Sequence, residues 1–112
     1  MSFPALGYLH ADVSLLRRHN DEAQISCLAE SLGYTLRKTL VFENRTDDPI
    51  QYLIGEVIAS DAEAVIVPSL DHFPDGIVPD ELIHVTDIIT VLPEHAYAWW
   101  ATHEAPEPTD GA

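Results

Sequence analysis

Three β-branched residues in a row, Val65-Ile66-Val67, sit inside the stretch Ala62-Glu63-Ala64-Val65-Ile66-Val67-Pro68-Ser69-Leu70-Asp71-His72-Phe73. Consecutive rather than alternating apolar side chains are what a strand covered on both faces needs. Such a strand requires helices above and below it, and segments with helical apolar spacing lie on either side in the sequence. The run therefore predicts the middle of a parallel sheet in an α/β domain. Pro68 cannot donate to a strand ladder and marks the end of the strand. Ser69, Asp71, His72 and Asp75 are then expected on the rim where strands of such sheets end and where ligands gather.

The 112 residues suffice for one domain and leave no room for a second. Residues 1–103 are expected to form it, and the proline-rich acidic stretch 104–112 to stay outside it as a disordered tail. Nineteen acidic residues against five basic ones give a formal net charge of −14. Nucleic-acid affinity comes largely from Lys and Arg neutralising phosphates, so this balance argues against direct binding of DNA or RNA. The basic residues, Arg17-Arg18, Arg37-Lys38 and Arg45, are too few for a patch unless folding gathers them. Cys27 is the only cysteine, which excludes an internal disulfide. It stands beside Leu28 in a helical pattern and reads as a small buried hydrophobe. No secretory signal opens the sequence and no apolar run approaches the length of a membrane helix, so the expected compartment is the cytoplasm.

Taken in order, Phe3 to Ala11 predicts a first strand, with Gly7 allowing close backbone approach. A helix begins at Asn20 or Asp21 and carries Ile25, Leu28, Ala29 and Leu32 on one face, with Gly33 as the terminating glycine. Tyr34 to Phe42 alternates as a second strand. Asp48 caps a second helix with Pro49 at its first position and Ile50, Leu53, Ile54 and Val57 facing inward. His72 to Gly76 reads as a loop, Pro79 to His84 as a short helix, and Asp87 to Leu92 as a fourth strand stopped by Pro93. Glu94 to His103 is expected to form a last helix carrying Tyr97, Trp99 and Trp100. The fold class is α/β, a single-domain open parallel sheet with helices on both faces, right-handed crossovers and strand order 2-1-3-4, as in flavodoxin-like folds.

Gly7-Tyr8-Leu9-His10, the helix with Gln24 followed by Leu28 and Leu32-Gly33-Tyr34, and Val65-Ile66-Val67-Pro68-Ser69-Leu70-Asp71 together resemble the catalytic domain of serine recombinases, the resolvase/invertase family. The resemblance covers roughly positions 6 to 92 in outline. It implies the fold derived above and enzymes that cut DNA through a serine ester with the phosphate, assisted by arginines. The family pattern Tyr-x-Arg-Val-Ser meets Tyr8, Leu9, His10, Ala11 and Asp12, so its arginine and its serine are both unmatched. Ser14 would serve as the nucleophile only in a longer loop. The second pattern, Asp-Arg-x-x-Arg, meets Asp71, His72, Phe73, Pro74 and Asp75 and keeps only its aspartate. Phosphoryl transfer depends on fixed positive charge, and an aspartate in place of an arginine repels the phosphate. The family's long dimer-forming helix and DNA-binding tail find no match after Trp100.

The expectation is a resolvase-like domain without recombinase activity, acting as a protein-binding or regulatory module of bacterial or mobile-DNA origin. His10, Asp12, Ser14, Gln24, Asp71 and His72 are the residues of its degenerate site. One alternative keeps an altered phosphoryl-transfer or hydrolase activity at His10, Ser14, Asp71 and His72. Another places a small ligand or divalent metal at the same rim, although no close His-x-x-x-His spacing supports a metal and a solvated polar edge explains these residues equally well. No cofactor is implied, since the sequence lacks a Gly-x-Gly-x-x-Gly or Walker loop. Tyr97, Trp99 and Trp100 are the expected interface, towards a protein partner or a second copy, because aromatic residues concentrate in binding hot spots.

Overall fold

The computed structural model describes residues 3–11, 18–42, 48–73, 76–92 and 94–97. Strand β1 (Phe3–His10) is followed by helix α1 (Arg18–Ser31), β2 (Tyr34–Phe42), α2 (Pro49–Ser60) and β3 (Ala64–Val67). A single 3₁₀ turn, Leu70–His72, leads to the short helix α3 (Asp80–Ile83), then β4 (Asp87–Thr90) and β5 (His95–Tyr97). The sheet has the order β2-β1-β3-β4-β5. β1 runs parallel to β2 and β3, β3 runs parallel to β4, and β5 is antiparallel to β4.

β3 is buried on both faces, as its apolar run requires. Ala64 and Ile66 join Ala5, Ile25, Ala29 and Ile89 beneath α1, whereas Val65 and Val67 join Leu6, Tyr8, Leu53, Val57, Leu82 and Ile88 beneath α2 and α3. Removing Val65, Ile66 and Val67 from water contributes roughly 5–9 kcal/mol before chain entropy is counted, which is comparable with the whole net stability of a domain. On the α1 side the layers close tightly over Gly7. A Cβ built there would come within 2.6 Å of Thr39 Oγ1 and 3.0 Å of Ile25 Cγ2, so glycine is what lets α1 and β2 approach β1. α2 starts as expected. The carboxylate of Asp48 accepts from Gln51 N at 3.4 Å, with Pro49 in the first turn.

Several elements differ from the sequence expectation. α1 begins at Arg18, which puts Asp21 inside its first turn and buries it. The stripe that faces the sheet is narrow, Ile25 and Ala29 one turn apart. Cys27 lies about 200° around the helix from Ile25 and is exposed, not buried. Leu32 falls beyond the last helical residue, where the chain reverses through Gly33 at φ 86°, and is 44% exposed rather than in the core. β4 stops at Thr90, two residues before the expected end. The largest difference is at the end of the sheet, where His95–Tyr97 is a strand and not a helix. Thr90 pairs with His95, Ile89 with Ala96 and Ile88 with Tyr97. His95 and Tyr97 point to the same side, with ring centroids 4.5 Å apart, which is the two-residue period of a strand.

Tyr8 lies at the centre of the α2-side core, its ring 5.2 Å from that of Phe73 and 5.4 Å from that of Phe42. Its hydroxyl is buried with no hydrogen-bond partner among the described residues. Burial pushes the phenol up to about 12 from 10.0. The folded chain thus holds this proton after the unfolded chain has released it. Stability from this source is complete below pH 10 and is lost as pH rises towards 12, by on the order of 2 kcal/mol. Tyr8→Phe removes both the titration and an unsatisfied buried hydroxyl. Urea denaturation at pH 7 should therefore find the variant at least as stable as the parent, and its advantage should grow by about 2 kcal/mol at pH 11.5. Parallel alkaline curves for the two proteins would contradict this placement of Tyr8.

Candidate functional site

The upper ends of β1 and β3 meet at the rim. β1 ends at His10, and the chain leaving β3 passes through Pro68 and Ser69 into the 3₁₀ turn Leu70–His72. That turn folds back over the end of β1. Phe73 stacks on Tyr8, nearly parallel at 17°, and the turn is closed by bonds from His72 N to Ser69 O and from Phe73 N to Leu70 O. The aromatic anchor holds His72 against the end of the first strand.

His72 is buried, with 3% of its surface exposed, and the backbone N–H of His10 donates to its Nδ1 at 2.9 Å. A ring nitrogen that accepts carries no proton, so this imidazole is the neutral tautomer with its hydrogen on Nε2. The bond spans 62 positions of sequence and ties the end of β1 to the segment after β3. It also satisfies a strand-end N–H that would otherwise be stranded in a partly buried place. His72 therefore serves as a polar latch in the core, a role that its place in a polar cluster did not foretell. Phe73 was expected in a loop and is instead buried; the signal for it was a large aromatic residue set among polar ones.

The other expected site residues are distributed unevenly. His10 is at the rim and half-buried beside His72, whereas Asp71, within the same turn, is exposed. Gln24 is exposed on α1 and faces the segment after β4, in a shallow depression shared with Cys27, Val91 and Glu94, away from the His10–His72 contact. Asp12, Ser14, Asp75, Trp99 and Trp100 lie outside the described residues, as does the 104–112 tail. Tyr97 belongs to β5 and packs partly into the α2-side core instead of standing on a helix. Among the described residues no three His, Cys, Asp or Glu side chains gather closely enough to hold a metal ion.

Among the described basic side chains, Arg37 and Lys38 are placed below the rim. Phe42, the last residue of β2, lies beside His10, and Arg37 and Lys38 precede it by five and four residues on the same strand. At about 3.3 Å per residue their backbones are roughly 13–17 Å below the rim. Lys38 is committed further, with Nζ 2.8 Å from Glu56 Oε1 of α2. That contact raises the lysine above its ordinary range.

The sheet order, the helices on both faces and the rim built from the ends of β1 and β3 define an open, mostly parallel α/β domain. Among solved structures, the N-terminal catalytic domain of TP901-1 integrase matches it with a TM-score of 0.64 over 83% of this chain and 80% of that one, at 18% sequence identity. At that identity the likeness carries the fold. No family model matches the chain, and no curated protein matches it. Among the described residues no helix is long and apolar enough to cross a membrane.

The latch yields a pair of substitutions with different outcomes. His72→Ala leaves the His10 N–H without its acceptor and opens a gap against β1, and should cost about 2–4 kcal/mol in chemical denaturation. His72→Asn offers an amide oxygen near the position of Nδ1 and should recover about 1 kcal/mol of that loss. Equal losses in the two variants would mean that the bond contributes nothing.

Proposed function

We propose that this domain is a recombinase fold that does not cut DNA and that acts through contact with another protein. The observation that carries this reading is the state of His72. It stands where the resemblance places the first arginine of the Asp-Arg-x-x-Arg pattern, and it is a buried, neutral imidazole whose Nδ1 already accepts a backbone N–H. An arginine at such a place would offer fixed charge and several donors to a phosphate; this imidazole offers neither. His10 occupies the arginine position of the first pattern, and the cations on β2 are far below both. Phosphoryl transfer that lacks both of these patterned arginines loses a large part of its transition-state stabilisation.

The same geometry disfavours a hydrolase that uses His72 as a base, because a base needs an available lone pair and Nδ1 has already given its own. The overall charge of −14 supports the rest of the reading, since a surface of this sign repels the phosphate backbone. Contact with protein draws support from Tyr97, which lies half-buried on the outermost strand next to an open apolar surface.

The test is a strand-cleavage assay on supercoiled plasmid and on short duplexes, with denaturing electrophoresis to trap a covalent protein–DNA species, alongside a gel shift at physiological salt. The expected result is intact DNA, no adduct, and no shift up to protein concentrations of about 100 µM, the weak end of non-specific binding. His72→Arg should not create cleavage and should destabilise the fold, because arginine has no acceptor for the His10 N–H. A serine-linked adduct from the unaltered protein would overturn the proposal.

A further inference from the structure

Between α2, α3 and β5 the surface opens into two depressions that share Ile77, Val78 and Asp80 and so form one continuous groove. The part towards β5 encloses about 370 Å³ and the part towards α2 about 410 Å³, sizes that ligand and peptide sites commonly have. Leu70, Val78, Ile83 and Tyr97 give the first part an apolar lining, and Ile77 rises between the two parts with 66% of its surface exposed. An isoleucine that open, next to an apolar trough, is unfavourable in water unless something covers it. Among the described residues the charged ones along the groove are Asp48, Asp80 and Glu81, all exposed and all of one sign, and no Lys, Arg or His lines either part.

That charge selects the occupant. A second copy of this chain brings a formal charge of −14 against three carboxylates. The 104–112 segment brings Glu104, Glu107 and Asp110 and no basic residue. Both meet repulsion at the rim, where like charges brought together oppose binding. An amphipathic segment with apolar residues on one face and Lys or Arg on the flanks satisfies both the trough and the rim.

We propose that the groove binds a basic amphipathic segment of a partner protein, with its apolar side chains around Ile77 and Val78 and its cations opposite Asp48, Asp80 and Glu81. This rests on the protein-contact reading above and specifies the partner's chemistry. The carboxylates supply attraction at a distance and fix the direction of the segment, and the apolar floor supplies most of the affinity.

The probe is a designed peptide of about 18 residues with leucines on one helical face and lysines on the other, compared with its counterpart carrying glutamates in place of lysines. Titrations by calorimetry use the full chain and three variants, each checked by thermal melting. Ile77→Ser alters an exposed side chain, Glu81→Gln keeps the amide-type contact to Gln51 (now 2.9 Å) while removing charge, and Ile58→Ser alters an equally exposed isoleucine on α2 that is not part of the groove. The expected result is saturable 1:1 binding of the lysine peptide and none of the glutamate peptide. Ile77→Ser should weaken it about tenfold, Glu81→Gln several-fold and more so at low salt, and Ile58→Ser not at all. Equal loss from Ile58→Ser and Ile77→Ser, or binding of both peptides alike, would overturn the proposal. So would a self-associating protein that Ile77→Ser converts to monomers, or a tryptophan emission in the free protein that Ile77→Ser shifts, since either would show the groove filled by this chain itself. Strand cleavage of DNA would overturn the reading of the rim without touching these affinities. A failure of the lysine peptide to bind a folded protein would overturn the groove and leave the DNA result standing.

Discussion

Double-sided burial of β3 is the constraint on which the rest of the domain depends. Four residues, Ala64 to Val67, have no water on either face, so a helix must lie on each side and a strand on each edge. α1 meets the first need through Ile25 and Ala29, and α2 with α3 meets the second through Leu53, Val57 and Leu82. β1 and β4 take the two edges. Because β1 to β4 run parallel, their C-terminal ends leave the core at one rim, where ligands of such sheets gather.

At that rim the one imidazole buried among the described residues serves structure. Phe73 stacks beneath on Tyr8, the 3₁₀ turn brings His72 over the end of β1, and the ring closes the last N–H of the strand. An arginine in the same pocket would lose hydration on burial, and it would lack the acceptor that the His10 N–H requires. At this position the side chain is thus set by packing as well as by hydrogen bonding.

Much of the architecture was legible in the sequence because it rests on local patterns with one strong outcome. The Val65-Ile66-Val67 run, the Asp48-Pro49 start of α2 and the strand order follow from burial, capping and short connections. The misplacements have physical causes. The aromatic neighbours of His95-Ala96-Tyr97 suggest a helix, although the alternation of His95 and Tyr97 against Ala96 is a strand signal and pairing with β4 decides the outcome. Cys27 and Leu32 lie outside the core because the face of α1 that packs on the sheet carries Ile25 and Ala29 with Leu28 half-buried at its edge, which is narrower than the apolar spacing suggests. At the site, a lone histidine in a polar stretch carries no sign of whether its ring is solvated or buried. Only the long-range bond to His10 decides that, and a contact across 62 positions leaves no trace in local sequence.

The central claim is that His72 is neutral and permanently engaged as an acceptor, and nitrogen-15 NMR of the imidazole rings at neutral pH tests it most directly. The account predicts an Nε2–H tautomer for His72, an Nδ1 resonance shifted as expected for a hydrogen-bond acceptor, and a scalar coupling between that nitrogen and the His10 amide. A His72 ring with its proton on Nδ1, or one that averages freely between tautomers and titrates like an exposed histidine, would contradict it.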